Sequence, residues 1–313
     1  MATPKEVRKR IRSVKNISQI TRALEAVSAS RVRRAQARVL ATRAYAAKAL
    51  EILLNLQNAM KGTSHPMLTE RTPVNKVMVV LITSERGLAG AYNTNVLRVA
   101  ERFEDRVGKP IQWVAIGKKG RDTLIRSGAN VVAEFSDLPP EPTIGDILPV
   151  AKLAIDAFLS GEVDEVFIAY TDFINMLAQR PTVVGWLPLT THAEARSIAG
   201  DLLKEMPHLS EGARDYEFEP NAAAVLDEIV PRFTQLQLFQ ALLESQASEH
   251  AARMAAMRNA TDNANSLVQD LTLEYNKARQ ASITSEILDI VGGANALQQA
   301  IDAMADDIVQ AAQ

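Results

Sequence analysis

Cysteine is absent from all 313 residues. That removes disulfides, thiolate metal sites and thiol switches at one stroke. Histidine is scarce: His65, His192, His208 and His250 are scattered, and none has a second ligand at metal spacing. Long apolar runs are also missing. The best, VMVVLI at 77–82, falls far short of the ~18 residues of a membrane span and reads as a strand. The expectation is a soluble chain with no metal and no cofactor.

Glycine and proline are missing where a compact domain would need them. Twelve of the fourteen glycines lie between Gly62 and Gly212; the others are Gly292 and Gly293. Neither residue type occurs from Lys5 to Lys61 or from Arg232 to Val291, runs of 57 and 60 residues. As continuous helices these would span roughly 85 to 90 Å at 1.5 Å per residue. Helices in compact domains seldom exceed ~20 residues, so such runs point to a coiled coil.

Acidic residues are nearly absent from the first fifty positions. Thirteen Lys and Arg stand there against Glu6 and Glu25, a net +11, and the remainder sums to −13 within a total of −2. A basic, acid-poor segment can be a targeting leader, a nucleic-acid arm or a shaft facing acidic protein. A leader would be followed by a break, and none comes before Gly62. A nucleic-acid arm would use its charge on phosphates. Here the cations Arg8, Lys9, Arg10 and Arg12 scatter around the helix, and no aromatic is interleaved until Tyr45.

What is present in those runs is a period. Val7, Ile11, Val14, Ser18, Thr21, Leu24 and Val27 step by four and three. In the second run Phe233, Leu236, Gln240, Leu243, Ala247, Ala251, Met254, Ala260, Ala264, Leu267 and Leu271 keep one side small or apolar. That is a coiled-coil seam with polar interruptions, simplest when the two ends of the chain pair antiparallel. Between them strand and helix alternate. KVMVVLIT (76–83), IQWVAIG (111–117), ANVVAEF and EVFIAYTDF (165–173) read as strands, and PTVVGWLPL as a last one. Helices are expected at 93–106, up to Arg126, and at 144–159. Such alternation implies a mainly parallel sheet packed with helices, a Rossmann-like α/β domain inserted in a helical hairpin.

That domain raises the question of a nucleotide-dependent enzyme. RGLAG follows the first strand, but Gly87 and Gly90 give only G-x-x-G, short of the G-x-G-x-x-G that lets backbone approach a pyrophosphate. IGKKG, with Gly117 and Gly120, lacks the frame of a phosphate-cradling loop. Both read as tight strand-to-helix turns, and no catalytic constellation appears. A different puzzle is LEYNKARQASITSEILDIV (273–291). It sets Tyr275, Lys277, Arg279, Gln280, Thr284 and Glu286 in the middle of an unbroken helix, where nothing can fold them around a substrate.

Three stretches carry a resemblance: IRSVKNISQITRALEAVSASRVRRAQ (11–36), ITSERGLAGAYN (82–93) and ASEHAARMAAMRNATDNANSLVQDLTLEYNKARQASITSEILDIVGGA (247–294). Together they resemble the gamma subunit of F-type ATP synthases, in order and over nearly the whole chain. The resemblance implies α/β plus coiled coil. Residues 1–61 and 216–313 would form the antiparallel coiled coil, and 62–215 a Rossmann-like foot. It implies a non-catalytic rotor shaft, one copy per complex, at the cytoplasmic face of a bacterial cell membrane. The implied partners are three alpha and three beta subunits, an epsilon subunit and the membrane c-ring, with no nucleic acid. Arg279, Gln280 and Thr284 match positions that touch a catch loop of a beta subunit. Tyr216 and Glu219, in YEFEP (216–220), match the segment near the c-ring.

The resemblance has departures. Leu24 and Ala26 stand where many relatives have methionine, and Ala89 where many have cysteine. The regulatory insertion of the chloroplast type is absent, and the stretch from Thr190 to Asp215 is longer than in short bacterial relatives. LQQAIDAMADDIVQAAQ, after Ala296, runs past where many members stop. Leu297, Ile301, Met304 and Ile308 are spaced to continue an amphipathic helix there, with a bend or swivel expected at Gly292–Gly293. In the hairpin, residues near Leu24 are expected close to 283–290.

Overall fold

The computed structural model describes residues 3–59, 65–189, 219 and 221–311, and of residues 44, 56–59, 222 and 301–311 only the backbone. Eleven elements follow in order. Helix α1 (Pro4–Ala59) and a short 3-10 turn (Pro66–Leu68) precede β1 (Val77–Ile82), α2 (Tyr92–Val107), β2 (Ile111–Ile116) and α3 (Lys118–Arg126). Then come β3 (Val131–Phe135), α4 (Ile144–Leu159), β4 (Glu165–Phe173), β5 (Gln179–Leu187) and the 90-residue α5 (Ala222–Ala311). The chain divides into two compact units, one of residues 1–24 with 257–313 and one of residues 25–256.

The first unit is an antiparallel helix pair. Val7 and Thr21 of α1 are buried and Ile11, Val14 and Ser18 half-buried, the stripe its sequence outlines. On α5 the buried positions are Met257, Thr261, Ala264 and Leu271, with Val268 half-buried. The seam therefore steps in sevens, 257–264–271 and 261–268, as a coiled coil requires. Leu267, expected in the seam, is exposed, because that residue lies one position off the heptad. The register is pinned by polar contacts. Ser18 Oγ donates to Asn265 Oδ1 at 2.8 Å, and the buried hydroxyls of Thr21 and Thr261 are hydrogen-bonded at 2.7 Å, with either one able to donate. A polar pair inside a seam lowers stability but selects one alignment.

This register corrects one expectation. Leu24 does not lie near 283–290; residue 21 is level with residue 261, so Leu24 lies near 258. The displacement is about 25 residues, or roughly 37 Å along a helix. Two seams of the same period can be slid against each other by heptads, and the polar contacts, Thr21 with Thr261 and Ser18 with Asn265, choose between the alignments. Cysteines placed at Thr21 and Thr261 are expected to form an intrachain disulfide, because their sulfurs would replace hydroxyls 2.7 Å apart. The chain has no other cysteine to compete. Non-reducing electrophoresis with peptide mass spectrometry checks this; crosslinks found only between chains would rule the register out.

The second unit is built on a five-stranded sheet in the order β3-β2-β1-β4-β5. Pairs β1–β2, β1–β4 and β2–β3 are parallel, whereas β4–β5 is antiparallel. The last strand spans 179–187 rather than 181–189. Its five-residue connection from β4 is too short for a crossover, so a hairpin is forced. All six residues of β1 are buried, and they alternate between two cores. Met78, Val80 and Ile82 face α4, the end of α1 and the start of α5. Val77, Val79 and Leu81 face α2 and α3. Burial on both faces is why these strands read as continuous apolar runs.

The long helices are core elements here. Leu50 and Leu53 of α1 and Val230, Phe233 and Leu238 of α5 join the first core, and Trp186 Nε1–H donates to the Thr234 carbonyl at 3.0 Å. Helix α5 therefore begins ten residues before the proline-free run and tolerates Pro231 inside it. Val27 of α1, expected in the seam, is 50% exposed, while its neighbour Ser28 is buried. The heptad continues 7, 14, 21, 28, so 28 takes the inward place.

Candidate functional site

In the first unit the seam of α5 ends near Leu271, and Ala278 is its last half-buried apolar residue. From 279 to 300 every residue except the half-buried Ser282 is exposed. The helix nonetheless carries Ile283, Ile287, Leu288, Ile290, Val291 and Leu297 at 48 to 72% exposure. Three of these, Ile283, Ile287 and Ile290, step by four and three and form a stripe. An exposed apolar stripe of this length marks a surface that meets another protein.

The three expected contact residues sit at the foot of that stretch. Arg279 is in line with Ile283 and Ile287 at i, i+4 and i+8, and Gln280 and Thr284 form the next line. The Arg279 guanidinium lies 5.9 Å from the centre of the Tyr275 ring, one turn earlier. Thr284 Oγ1 donates to the Gln280 carbonyl at 2.9 Å, and Ser282 Oγ to Glu286 Oε1 at 3.3 Å. Backbone and ring thus orient the patch while Arg279 keeps its fork of donors open to a carboxylate. It is an open, exposed helix surface. Sequence reasoning noted Tyr275 without seeing its use; the spacing Tyr275-to-Arg279 was the available signal.

Of the other expected contact pair only one member falls within the described residues. Glu219 is an exposed bend just before α5, and Tyr216 lies outside the described residues. Glu219 belongs to the larger unit and the Arg279 patch to the smaller one.

At the carboxyl edge of the sheet, where α/β folds place ligands, the loops are closed by their own side chains. Ser84 Oγ donates to the Arg86 carbonyl at 2.6 Å, and Asn93 Oδ1 accepts from the Ser84 amide at 3.0 Å. Arg253 of α5 donates to the Gly87 carbonyl at 3.3 Å, and a Cβ on Gly90 would touch Ala256 at 3.5 Å. Gly117 has φ +93, and a Cβ there would lie 2.3 Å from the Thr83 carbonyl oxygen. These glycines serve close packing, as the turn reading expected. Behind them His250 is held down to about 4, by burial first and then by the charges of Arg253, Arg31 and Arg34. It stays neutral at physiological pH. Burial raises the Glu249 carboxyl against the pull of Arg253.

Sequence reasoning also missed a cluster of charges in the larger unit: the buried Asp172 and Glu244, the half-buried Arg43 and the exposed Arg180. They stand far apart in the chain, and no local pattern announces them. Among the described residues no group of three or more acidic or histidine side chains is placed to hold a metal ion. Nor is any helix long and apolar enough to cross a membrane.

A family model described as ATP synthase matches residues 3–297. The match ends where the resemblance was expected to run out, beside Ala296. The ATP synthase gamma chain of Roseiflexus castenholzii is 47% identical over 304 residues, covering 96% of this chain and all of the relative. That of Chloroflexus aurantiacus is 46% identical over 303 residues, covering 95% and 99%. Among solved structures, the rotor of the Euglena gracilis mitochondrial ATP synthase aligns with a TM-score of 0.61 at 20% identity, over 90% of this chain and 98% of that one. At that identity the likeness shows the fold: long terminal helices around an α/β domain.

Proposed function

The chain belongs to the ATP synthase gamma-chain family, and on that premise we propose that it is the rotor shaft of an F-type ATP synthase. The observation that carries this reading is the bare end of α5. A helix whose seam stops near Leu271, yet which continues to Ala311 with an apolar stripe, is suited to a sleeve formed by other subunits. In this reading three alpha and three beta subunits form the sleeve. The c-ring and an epsilon subunit engage the α/β foot, taken as residues 62–215, with Tyr216 and Glu219 near the ring. The shaft holds no nucleotide and makes no bond. Ion flow turns it, and its one Arg279–Gln280–Thr284 face meets each of three beta subunits in turn.

A partner shifts a conformational equilibrium only through contacts that differ between states. A single off-axis patch inside a threefold ring supplies that difference mechanically. The work needs stiffness, which the glycine- and proline-free stretches 5–59 of α1 and 232–291 of α5 provide, and a basic α1 suits acidic loops of the surrounding ring. The complex would place the chain peripherally, at the cytoplasmic face of a bacterial cell membrane. Reconstitution with alpha and beta subunits tests the proposal: the purified chain should yield a stable assembly whose ATPase activity exceeds that of the two subunits alone. Failure to bind them, with capture of nucleic acid or a dinucleotide in their place, would sink it.

The tail gives a further expected result. Helix α5 runs through Gly292 and Gly293 and on to Ala311 without a break in the helix. Helical hydrogen bonds along the whole segment outweigh the roughly 1 kcal/mol that each glycine costs relative to alanine. Truncation after Gly293 is expected to leave assembly and most ATPase activity intact, with a lower midpoint of heat inactivation. Loss of all turnover in an assembled truncated complex would assign coupling to the tail.

A further inference from the structure

Four elements of the larger unit meet at this charge cluster. Glu244 of α5 is 3% exposed. Arg43 of α1 donates to its Oε1 from Nε at 3.1 Å and from Nη2 at 3.0 Å. Gln240, one turn back on α5, donates from Nε2 to the same oxygen at 3.1 Å. Arg43 Nη2 also lies 3.7 Å from Asp172 Oδ1 of β4 and 3.5 Å from the Phe173 carbonyl oxygen. Beyond Asp172, Arg180 of β5 donates to Oδ2 at 2.8 Å. The charged groups facing Glu244 are thus Arg43 and Asp172, with Arg180 behind; its neighbour on α5 is the neutral Gln240.

Two details set this group apart from an ordinary buried ion pair. The Arg43 and Gln240 donors all converge on Oε1, which leaves Oε2 to take a proton and the carboxyl, once neutral, with a weakened hold on the guanidinium. On the side chain whose Nε2 donates to Glu244, the Gln240 Oε1 atom is buried without a hydrogen-bond partner. Arg43 in turn has a second carboxylate within reach.

We propose that Glu244 is a proton-operated tie: ionised, it holds Arg43 and binds α1 to α5; protonated, it yields the guanidinium to Asp172, and α1 is held to β4 instead. The tie belongs to the fold of this chain and does not depend on the rotor reading. Burial, opposed by Arg43 and reinforced by Asp172, pushes the Glu244 carboxyl up to about 7, so the exchange falls near neutral pH. The sign follows from linkage. A carboxyl raised from 4.5 contributes stability that is fully present below the unfolded value and lost as pH rises through about 7. The ionised tie is therefore the more orienting and the less stabilising form, as is common for buried ion pairs.

The test is a pair of double-mutant cycles on the full chain, read from urea midpoints at pH 5.5 and 8.5. The cycle of Arg43→Met with Glu244→Gln should give a coupling constant at least tenfold larger at pH 8.5. The cycle of Arg43→Met with Asp172→Asn should run the other way. Glu244→Gln alone should flatten the pH dependence of stability between pH 5 and 8. Equal coupling at both pH values would overturn the proposal. If Arg43→Met does not fold, a carbon-13 titration of the glutamate carboxyls, assigned with Glu244→Gln, decides. A Glu244 signal moving near neutrality supports the tie, and one complete below pH 5.5 overturns it.

Discussion

Replacing Arg279 and Gln280 together by alanine is expected to lower ATP turnover by the assembled complex by roughly ten- to a hundredfold. A hydrogen bond to a charged group contributes about 1.5 to 3 kcal/mol, and each 1.4 kcal/mol lost from a rate-limiting contact is a factor of about ten. The helix itself should not suffer. Alanine is the best helix former, both side chains are exposed, and the only described contact that Arg279 gives up is with the Tyr275 ring. The loss is thus confined to what lies outside the chain, and assembly should persist. Synthesis and hydrolysis measured on complexes of verified stoichiometry provide the check. Turnover equal to wild type in such complexes would remove the pair from coupling. Thr284→Ala should have a smaller effect, since its hydroxyl already donates to the Gln280 carbonyl.

The second large effect is structural. Gly117→Ala is expected to destabilise the chain by roughly 3 to 5 kcal/mol. Glycine stands there at φ +93, ψ 141, a conformation that costs other residues about 1 to 3 kcal/mol. The added Cβ would also sit 2.3 Å from the Thr83 carbonyl oxygen and 2.9 Å from its carbon. Backbone cannot swing aside as a side chain would, and forced shifts of this kind cost another ~1 to 3 kcal/mol. Thr83 is itself committed, since its amide donates to the Ile116 carbonyl at 2.9 Å and its Oγ1 accepts from the Gly120 amide at 2.8 Å. For a chain of this size the thermal midpoint should fall by roughly 10 °C. A shift within ~2 °C would mean that packing against Thr83 does not require this glycine, and would reopen the phosphate-loop reading of IGKKG.

The α/β domain was legible almost strand by strand. A strand buried on both faces, VMVVLI, is apolar without interruption and cannot be mistaken for amphipathic helix. The direction of β5 was the exception, although the short span between Phe173 and Gln179 would have given it away. The Arg279 patch was legible as a surface because helix geometry alone places 279, 280 and 284 together. Its support by Tyr275 needed the ring and the guanidinium in space. The tie of Arg43 to Glu244 was invisible, because residues 201 positions apart carry no shared local signal.

Sequence by itself determined which segments are helix and which are strand, that the two ends form a seam, and that no thiol chemistry is available. Those properties follow from local composition and period, which act residue by residue along the chain. Tertiary structure alone decided the sliding register of the two helices. Heptad seams are periodic, and many alignments bury similar apolar area; the polar contacts Thr21 with Thr261 and Ser18 with Asn265 discriminate between them. It also decided how much of α5 is left bare, since that length is what remains once the register is set. The Arg279 patch owes its exposure to this alignment.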